Sequence, residues 1–525
     1  MQLDTYDDAA FDRFCSELVN AGFSPSRDGE RLYWTGPIRT SLQPLTEASR
    51  MQIHFFPGWP LRYAHVVVPG LQSEHDAQGT ICLWAEDDPA QIAGRHLQGL
   101  FDRLDQWAAA AQQGFHAEDQ ALDAHRLYQE QSNYRAELPL QDLIDRGTNG
   151  YTADVFGFIQ GNALLIEYGN APDRRTSGKP ILSGAFYLRR HLAVPPANLD
   201  EVRDALTRRQ RNKLTRGLAN RSPMAFPEPS GGHDFIVLAW PRHGDDYDAV
   251  ALSISGDGDT LCTEALAATS SDAHALRRRA GPDADRLSTK TVLIAGAGSV
   301  GGHVAAAVAC SGVGTIRLHD SDFLTSTNLV RHVGPRQYVG YRKTEAVAVA
   351  VEQHAPWTDL THHPDLPYDP VGLIEAIDGV DLVIDCTGVL PMTAALAETC
   401  RRRGVALVAG ALFHHGALAR VQRQAVGDTP IAARSTDTRY HSLPPDDQAI
   451  GSAGFLELGC TAPVNNAPPL AVLTTAADIA FAAVDLLTER RERPDERITV
   501  LRTMDPPFHR TGAMDPRHTA SAELP

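Results

Sequence analysis

The cysteines of this chain do not come in pairs. Seven occur in 525 residues, Cys15, Cys82, Cys262, Cys310, Cys386, Cys400 and Cys460, with no Cys-x-x-Cys among them. That scatter supplies neither the spacing of a four-cysteine zinc site nor a disulfide framework, so any cysteine that matters acts as a thiol. Long apolar runs are missing too: no stretch reads as a membrane span, and the opening MQLDTYDDAAFDRF is acidic and amphipathic, unlike a secretory signal. The expected location is the cytoplasm. Positive charge is in deficit, with 48 Lys and Arg against 65 Asp and Glu and a net charge of −17. This balance argues against nucleic acid and anionic membranes as partners and favours small molecules and proteins. A hydrophobic content of 43 % is enough for ordinary cores in about two to four domains.

The most informative stretch runs from Thr291 to His332. An apolar run (Val292, Leu293, Ile294, Ala295) meets Gly296, Gly298, Gly301 and Gly302, then a small-residue helix and a second apolar strand that ends at Asp320. This is the opening of a nucleotide-binding βαβ unit: the glycines let the backbone approach phosphate, and the helix N-terminus offers N–H groups and partial positive charge. With an acid about 20 residues on, the same pattern suits a nicotinamide-dependent dehydrogenase. The continuation differs, because Asp322, Asn328, Arg331 and Lys343 follow at close intervals. An arginine and a lysine that fold back over the nucleotide suit a triphosphate, and a dehydrogenase has no use for them.

Earlier in the chain, residues 5–23 place Tyr6, Phe11, Phe14, Leu18, Val19 and Phe23 at helical spacing. An antiparallel meander (ERLYWTGPI, then SRMQIHFFPGWPLRYAHVVVPG), an irregular segment holding Cys82, and a helix from about Pro89 to Gln113 follow. Residues 132–286 read as an α+β connecting domain, in which Arg208, Arg209, Arg211, Lys213 and Arg216 form a solvated helix face. The polar SDAHALRRRAGPDADRLS reads as a linker, and residues 505–525 as a flexible tail. Cys460 falls in a Gly/Pro/Asn-rich loop just before an apolar helix from about Ala471 to Leu487, a position that favours thiolate.

The order Gly-x-Gly-x-x-Gly, Asp-x-Asp-x-x-x-x-x-Asn-Leu-x-Arg and Gly-x-x-Lys resembles the adenylating domain shared by ubiquitin-activating enzymes and the ThiF and MoeB sulfur-carrier activators. The resemblance implies that Gly296, Gly298 and Gly301 line the phosphates of ATP and that Asp320 accepts from the ribose. Asn328, Arg331 and Lys343 would contact phosphates, with Arg331 and Lys343 stabilising the charge that develops as a partner's C-terminal carboxylate displaces pyrophosphate. It also implies Mg²⁺, but the family's metal-binding aspartate is replaced here by Gly388, with Asp385 nearby as the substitute. Cys460 matches the cysteine that captures the adenylate as a thioester.

Likewise Gly79, Ile81, Cys82, Leu83 and Trp84 resemble the Gly-x-Ile-Cys-Leu context of ubiquitin-conjugating enzymes, with His75 upstream but the family's His-Pro-Asn tripeptide absent. A conjugating-like domain ahead of an adenylating one is similar to a bacterial fused family found in CBASS antiphage operons and related ubiquitin-like systems. The fold implied is a multidomain α/β and α+β chain. It comprises a ubiquitin-conjugating-like domain (1–131), a connecting domain (132–286), a Rossmann-like ThiF-type adenylation domain (287–504) and the tail. The partners implied are a ubiquitin-like protein or a cyclic-oligonucleotide synthase with an activatable C-terminus, a protein amine, and a second copy of the chain. A sulfur-carrier adenylyltransferase without a conjugation step, and a nucleotide-binding scaffold, stay open as alternatives.

Overall fold

The computed structural model describes residues 3–514 except 29–30, 62, 72, 74–75, 78, 85–88, 114–131, 170–179, 191, 193–195, 197, 242–246 and 445–465. The chain divides into two compact units, Met1–Asp272 and Ala273–Pro525.

The first unit opens with helix α1 (Asp8–Asn20), whose N-cap Asp7 accepts from the Ala10 N–H at 2.9 Å. Its buried face is Phe11, Phe14 and Leu18, and both phenyl rings stand edge-on to Phe55. Tyr6 and Val19, expected on that apolar face, are instead 75 % and 58 % exposed. Strands β1 (Ser24–Asp28), β2 (Arg31–Pro37), β3 (Arg50–Phe55), β4 (His65–Val67), β5 (Asp76–Ala77) and β6 (Thr80–Ile81) form a sheet in the order β1-β2-β3-β4-β6-β5. Helix α2 (Leu97–Gln113) lays Leu97, Leu100, Leu104 and Trp107 into the same core. The segment before it, Pro89–Arg95, is 3₁₀ and leaves Ile92 exposed.

The rest of the unit is a closed seven-stranded barrel. It contains β7 (Arg135–Leu138), α3 (Leu140–Ile144), β8 (Thr152–Gln160), β9 (Ala163–Tyr168), β10 (Leu182–Leu188), α4 (Leu199–Ala205), α5 (Arg208–Ala219), β11 (Phe235–Pro241), β12 (Tyr247–Ser255) and β13 (Cys262–Ser270). Phe186, Phe235 and Val237 join one core, while Tyr187, Ile236 and Leu238 join another with Leu199, Val202 and Leu214 of α4 and α5. Strand residues thus alternate between two buried faces. A capping box, Thr207 with Gln210, starts α5.

The second unit begins earlier than the sequence pattern suggests. Residues expected to be a linker form α6 (Ala273–Arg278) and α7 (Ala284–Leu287), and Ala284 and Leu287 are buried. The apolar pair hidden in a polar run is what folds this stretch onto the domain. Then come β14 (Thr291–Ala295), α8 (Ser299–Cys310), β15 (Thr315–His319), α9 (Lys343–His354), β16 (Asp359–His363), α10 (Pro370–Ala376), β17 (Leu382–Asp385), α11 (Leu390–Arg403), β18 (Ala406–Phe413), β19 (Leu418–Gln424), α12 (Pro469–Leu487), β20 (Glu496–Val500) and β21 (Gly512–Met514). The sheet order is β16-β15-β14-β17-β18-β19-β20-β21, parallel from β16 to β18 and antiparallel beyond. Val292 and Ile294 face α8, α9 and α12, whereas Leu293 and Ala295 face α10 and α11. The sheet is therefore wound on both sides, and its order turns at β14 and β17, where such sheets open a crevice at the strands' carboxyl ends.

Two further expectations are corrected. Residues 505–514 are not a tail, since Phe508 is buried and Gly512–Met514 pairs with β20. Helix α12, at 19 residues and mean hydropathy 1.8, is long and apolar enough to cross a membrane. Its Ala476, Ile479 and Ala483 are instead buried in the domain core with Val304 and Ile294, so it is a core helix.

Candidate functional site

The crevice at the carboxyl ends of β14 and β17 is shaped by glycine. Gly296 is left-handed (φ 93°), and a Cβ there would lie 3.0 Å from the Cys386 carbonyl oxygen. A Cβ on Gly301 would lie 1.9 Å from the Gly296 carbonyl oxygen, so the first turn of α8 seats directly on the loop. Around Gly298 the space is open, with nothing within 4 Å of where a Cβ would be. Gly298 is also the N-cap of α8 and brings no side-chain acceptor, which leaves first-turn N–H groups available to an anion. The cradle thus has the room and the donors that a phosphate chain requires.

Asp320 closes one side. Its Oδ2 accepts from the Ala297 N–H at 2.7 Å and its Oδ1 from the Asp322 N–H at 2.8 Å. One carboxylate therefore ties the glycine turn to the following loop and keeps lone pairs for hydroxyl groups of a ligand. Burial pushes its pKa up, against the opposing pull of the Lys343 charge. Lys343, expected at the phosphates, has its Nζ 2.8 Å from Asp322 Oδ2 and its side chain is only 8 % exposed. Backbone bonds from Lys343 N to Asp322 O and from Leu324 N to Tyr341 O hold these two segments together.

Asn328 is buried and its Oδ1 accepts from the Thr325 N–H at 3.0 Å, closing its own loop. Arg331 follows at the end of that turn, half-buried, and its carbonyl lies 3.2 Å from His303 Nε2. His332, which pattern reading did not single out, is the hidden strut: Nε2 lies 2.8 Å from the Ala297 carbonyl and Nδ1 2.9 Å from the Gly334 N–H. The carbonyl must accept and the amide must donate, so the ring is neutral with its proton on Nε2. Its position after the Asn-Leu-Val-Arg run was the available signal.

Burial pushes the pKa of His332 down to about 4 from an ordinary 6.5, and that of His319 likewise to about 4. The unfolded chain therefore binds more protons than the folded one between those values, and stability falls as pH is lowered from about 6.5 towards 4. We expect His332→Gln to flatten the acid limb of a chemical-denaturation series by up to about 1.4 kcal/mol per pH unit, the slope for one proton.

Asp385, the candidate Mg²⁺ ligand, is buried at the end of β17. Its Oδ1 accepts from Thr387 N at 2.9 Å and Thr387 Oγ1 at 2.7 Å, and its Oδ2 accepts from the Thr393 hydroxyl. Both oxygens are engaged in shaping the loop, and among the described residues no group of three His, Cys, Asp or Glu side chains is placed to hold a metal. The described residues by themselves do not build a Mg²⁺ site. Gly388 is left-handed (φ 68°) with open space around it.

Of the candidate thiols, Cys82 lies just after β6, half-buried, with its Sγ 3.8 Å from the Trp84 carbonyl. Gly79, two residues before β6 ends, is left-handed and a Cβ there would sit 2.5 Å from the Val68 carbonyl. Cys460 and His75 lie outside the described residues. Cys400 is buried and its pKa is pushed up to about 12 by burial, as befits a packing residue.

Residues 272–491 match the model of the ThiF family. The uncharacterized protein y4qC of Sinorhizobium fredii is 29 % identical over 154 residues, which cover 26 % of each chain. The SAMP-activating enzyme E1 of Haloferax volcanii is 30 % identical over 157 residues, 29 % of this chain and 57 % of that one. A solved structure of E. coli MccB with ATP aligns at 19 % identity with a TM-score of 0.34, covering 41 % of this chain and 62 % of that one. The chain thus spans between about a quarter and just over half of the length of these two curated relatives.

Proposed function

We propose that the C-terminal unit adenylates the C-terminal carboxylate of a protein and that the acyl group then passes to Cys460, to Cys82 and to an amine. The observation that carries the first step is the join made by Asp320, whose two oxygens bind the glycine turn and the Asp322 segment that holds Lys343. The join builds one continuous wall from phosphate cradle to basic loop. The ThiF-family match over the same residues and a relative named as an activating enzyme support this reading.

ATP is the substrate in this scheme. A carboxylate oxygen attacks the α-phosphorus and pyrophosphate leaves, giving a mixed anhydride. The fixed geometry supplies orientation, and Arg331 and Lys343 supply positive charge where negative charge develops. The Cys460 thiolate then attacks the anhydride carbonyl and releases AMP, and exchange to Cys82 precedes attack by an amine. A half-buried cysteine between a short strand and Trp84, after a helix and an antiparallel meander, is what motivates the second thiol.

On non-reducing gels the full chain, incubated with ATP and the purified products of neighbouring genes, is expected to form a thiol-sensitive adduct. Cys460→Ala should abolish it, and Cys82→Ala should leave it trapped on Cys460 with no amide product. An unchanged adduct in both variants contradicts the relay. Product formation that persists without Cys82 supports the second reading, a sulfur-carrier adenylyltransferase, which the confinement of the family match to residues 272–491 favours.

A further inference from the structure

Strands β2, β3, β4 and β6 place a row of side chains across the outer face of the N-terminal sheet. Tyr33 pairs with His54 and His54 with His65. Val66 pairs with Ile81 and Val67 with Thr80, and the Val68 N–H to Gly79 carbonyl bond continues that register. Extended past the last paired residues, the same register would set His65 opposite Cys82 and Tyr63 opposite Trp84. The second of these pairs is met: the Tyr63 and Trp84 rings lie 4.9 Å apart and the Tyr63 hydroxyl is 3.4 Å from the Trp84 carbonyl. The paired residues on one side and the Tyr63–Trp84 contact on the other thus flank His65 and Cys82. Directly opposed residues have Cβ atoms about 4.5–5.5 Å apart.

Facing also agrees. Ile53, Ala64, Val66 and Ile81 are buried in the core, while Tyr33, His54, His65 and Cys82 are half-buried on the other side. His65 is clamped between rings, with Phe56 at 4.7 Å and Tyr63 at 5.3 Å. Behind it His54 stacks on Tyr33 at 5.0 Å and meets Gln52 Oε1 at 2.8 Å. The cysteine strand is pinned from beneath by Arg103 of α2, whose Nε donates to the Leu83 carbonyl at 2.6 Å. A Cβ on Gly94 would lie 2.9 Å from the Trp84 ring, so this glycine lets the chain close over the Tyr63–Trp84 pair. Among the described residues, the titratable and charged groups near the pair include His54 from β3, Tyr33 behind it, Tyr63 before β4, and Arg103 from α2.

From this placement we infer that His65 is the general base of Cys82. It accepts the thiol proton as the sulfur attacks a thioester carbonyl: the Cys82 S–C bond forms, the S–C bond to the donor cysteine breaks, and the imidazolium returns its proton to the departing thiolate, which leaves His65 neutral for the next step. In the next step an amine attacks the Cys82 thioester, the N–C bond forms, Cys82 leaves as thiolate, and the imidazole takes the amine's proton. The inference rests on the proposed second thioester for its biological use, but the Cys82–His65 pair is testable on the resting protein.

The test is the pH dependence of iodoacetamide alkylation of Cys82 in the full chain, read peptide by peptide with mass spectrometry, without ATP or partner. Wild type should alkylate at least about tenfold faster at pH 7 than His65→Gln and His65→Phe, with a midpoint at lower pH, because a neighbouring imidazolium stabilises thiolate. His65→Phe keeps a ring between Phe56 and Tyr63, and Cys15 alkylation in the same digest reports whether the domain is folded. Superimposable Cys82 profiles in wild type and His65→Phe overturn the inference. A shifted profile supports it even where no Cys82 adduct forms on gels, so the pair and the relay fail separately.

Discussion

Gly301→Val should cut ATP–pyrophosphate exchange by about 10²-fold, whereas Gly298→Ala should slow it with the fold intact. At Gly301 a Cβ would stand 1.9 Å from the Gly296 carbonyl oxygen and 3.1 Å from Cys386 Cβ, and both neighbours belong to backbone-fixed segments. Helix α8 or the loop must therefore shift by about an ångström, a displacement worth about 10²-fold in rate when it falls on a positioned substrate. Overpacking of this kind also costs about 1–3 kcal/mol of stability. At Gly298 there is nothing within 4 Å, so alanine is accommodated by the protein and its methyl group meets only what approaches from outside. Calorimetry on both variants separates the cases: a melting transition close to wild type for Gly298→Ala, with weakened ATP binding, marks the cradle as the nucleotide's seat. Equal binding in Gly298→Ala and wild type moves the phosphates elsewhere.

Lys343→Met carries the second large effect. Lys343 is 8 % exposed and Asp322 24 %, and their 2.8 Å pair holds the start of α9 against the loop that carries Asp320. Removing one partner of a buried pair leaves the other charge uncompensated, which costs about 3–5 kcal/mol when burial is complete. With Asp322 partly solvated, about 2 kcal/mol is expected here. For a unit of this size that is a fall of about 4–8 °C in melting temperature. Exchange should drop by about 10²–10³-fold, the usual effect of deleting one preorganised charge in a transition state. Asp322→Asn discriminates the roles, since it keeps the lysine and removes the carboxylate charge beside it. A variant with lowered stability and preserved exchange assigns Lys343 to the phosphates, and parallel losses assign it to holding Asp320 in place.

The parts of this site that pattern reading found are those whose signal is local. Val292–Ala295 alternates between two helix-covered faces, and the glycines that follow answer to close approaches visible within a few residues. What was not legible depends on partners far along the chain. Nothing near Lys343 indicates that Asp322, 21 residues earlier, takes its ammonium group, nor near Asp385 that Thr393 turns back to it. Barrel closure is of the same kind: β7 pairs in parallel with both β9 and β13, the latter from residues more than a hundred positions away. Ala284, Leu287 and Phe508 were misread because single apolar residues in polar runs carry no period, yet each is buried. The row from Tyr33 to Cys82 was invisible for a related reason, since register across four strands is decided by turns and not by spacing.

The central claim is that the second unit activates a carboxylate with ATP, and pyrophosphate exchange tests it most directly. The full chain is incubated with ATP, radiolabelled pyrophosphate and each purified product of the neighbouring genes, intact or trimmed by carboxypeptidase. The account predicts label entering ATP with at least one intact protein, loss of that signal on trimming, and a fall of about 10²-fold in Gly301→Val. ATP binding without exchange for any of them, or titration showing NAD bound in place of ATP, would contradict it.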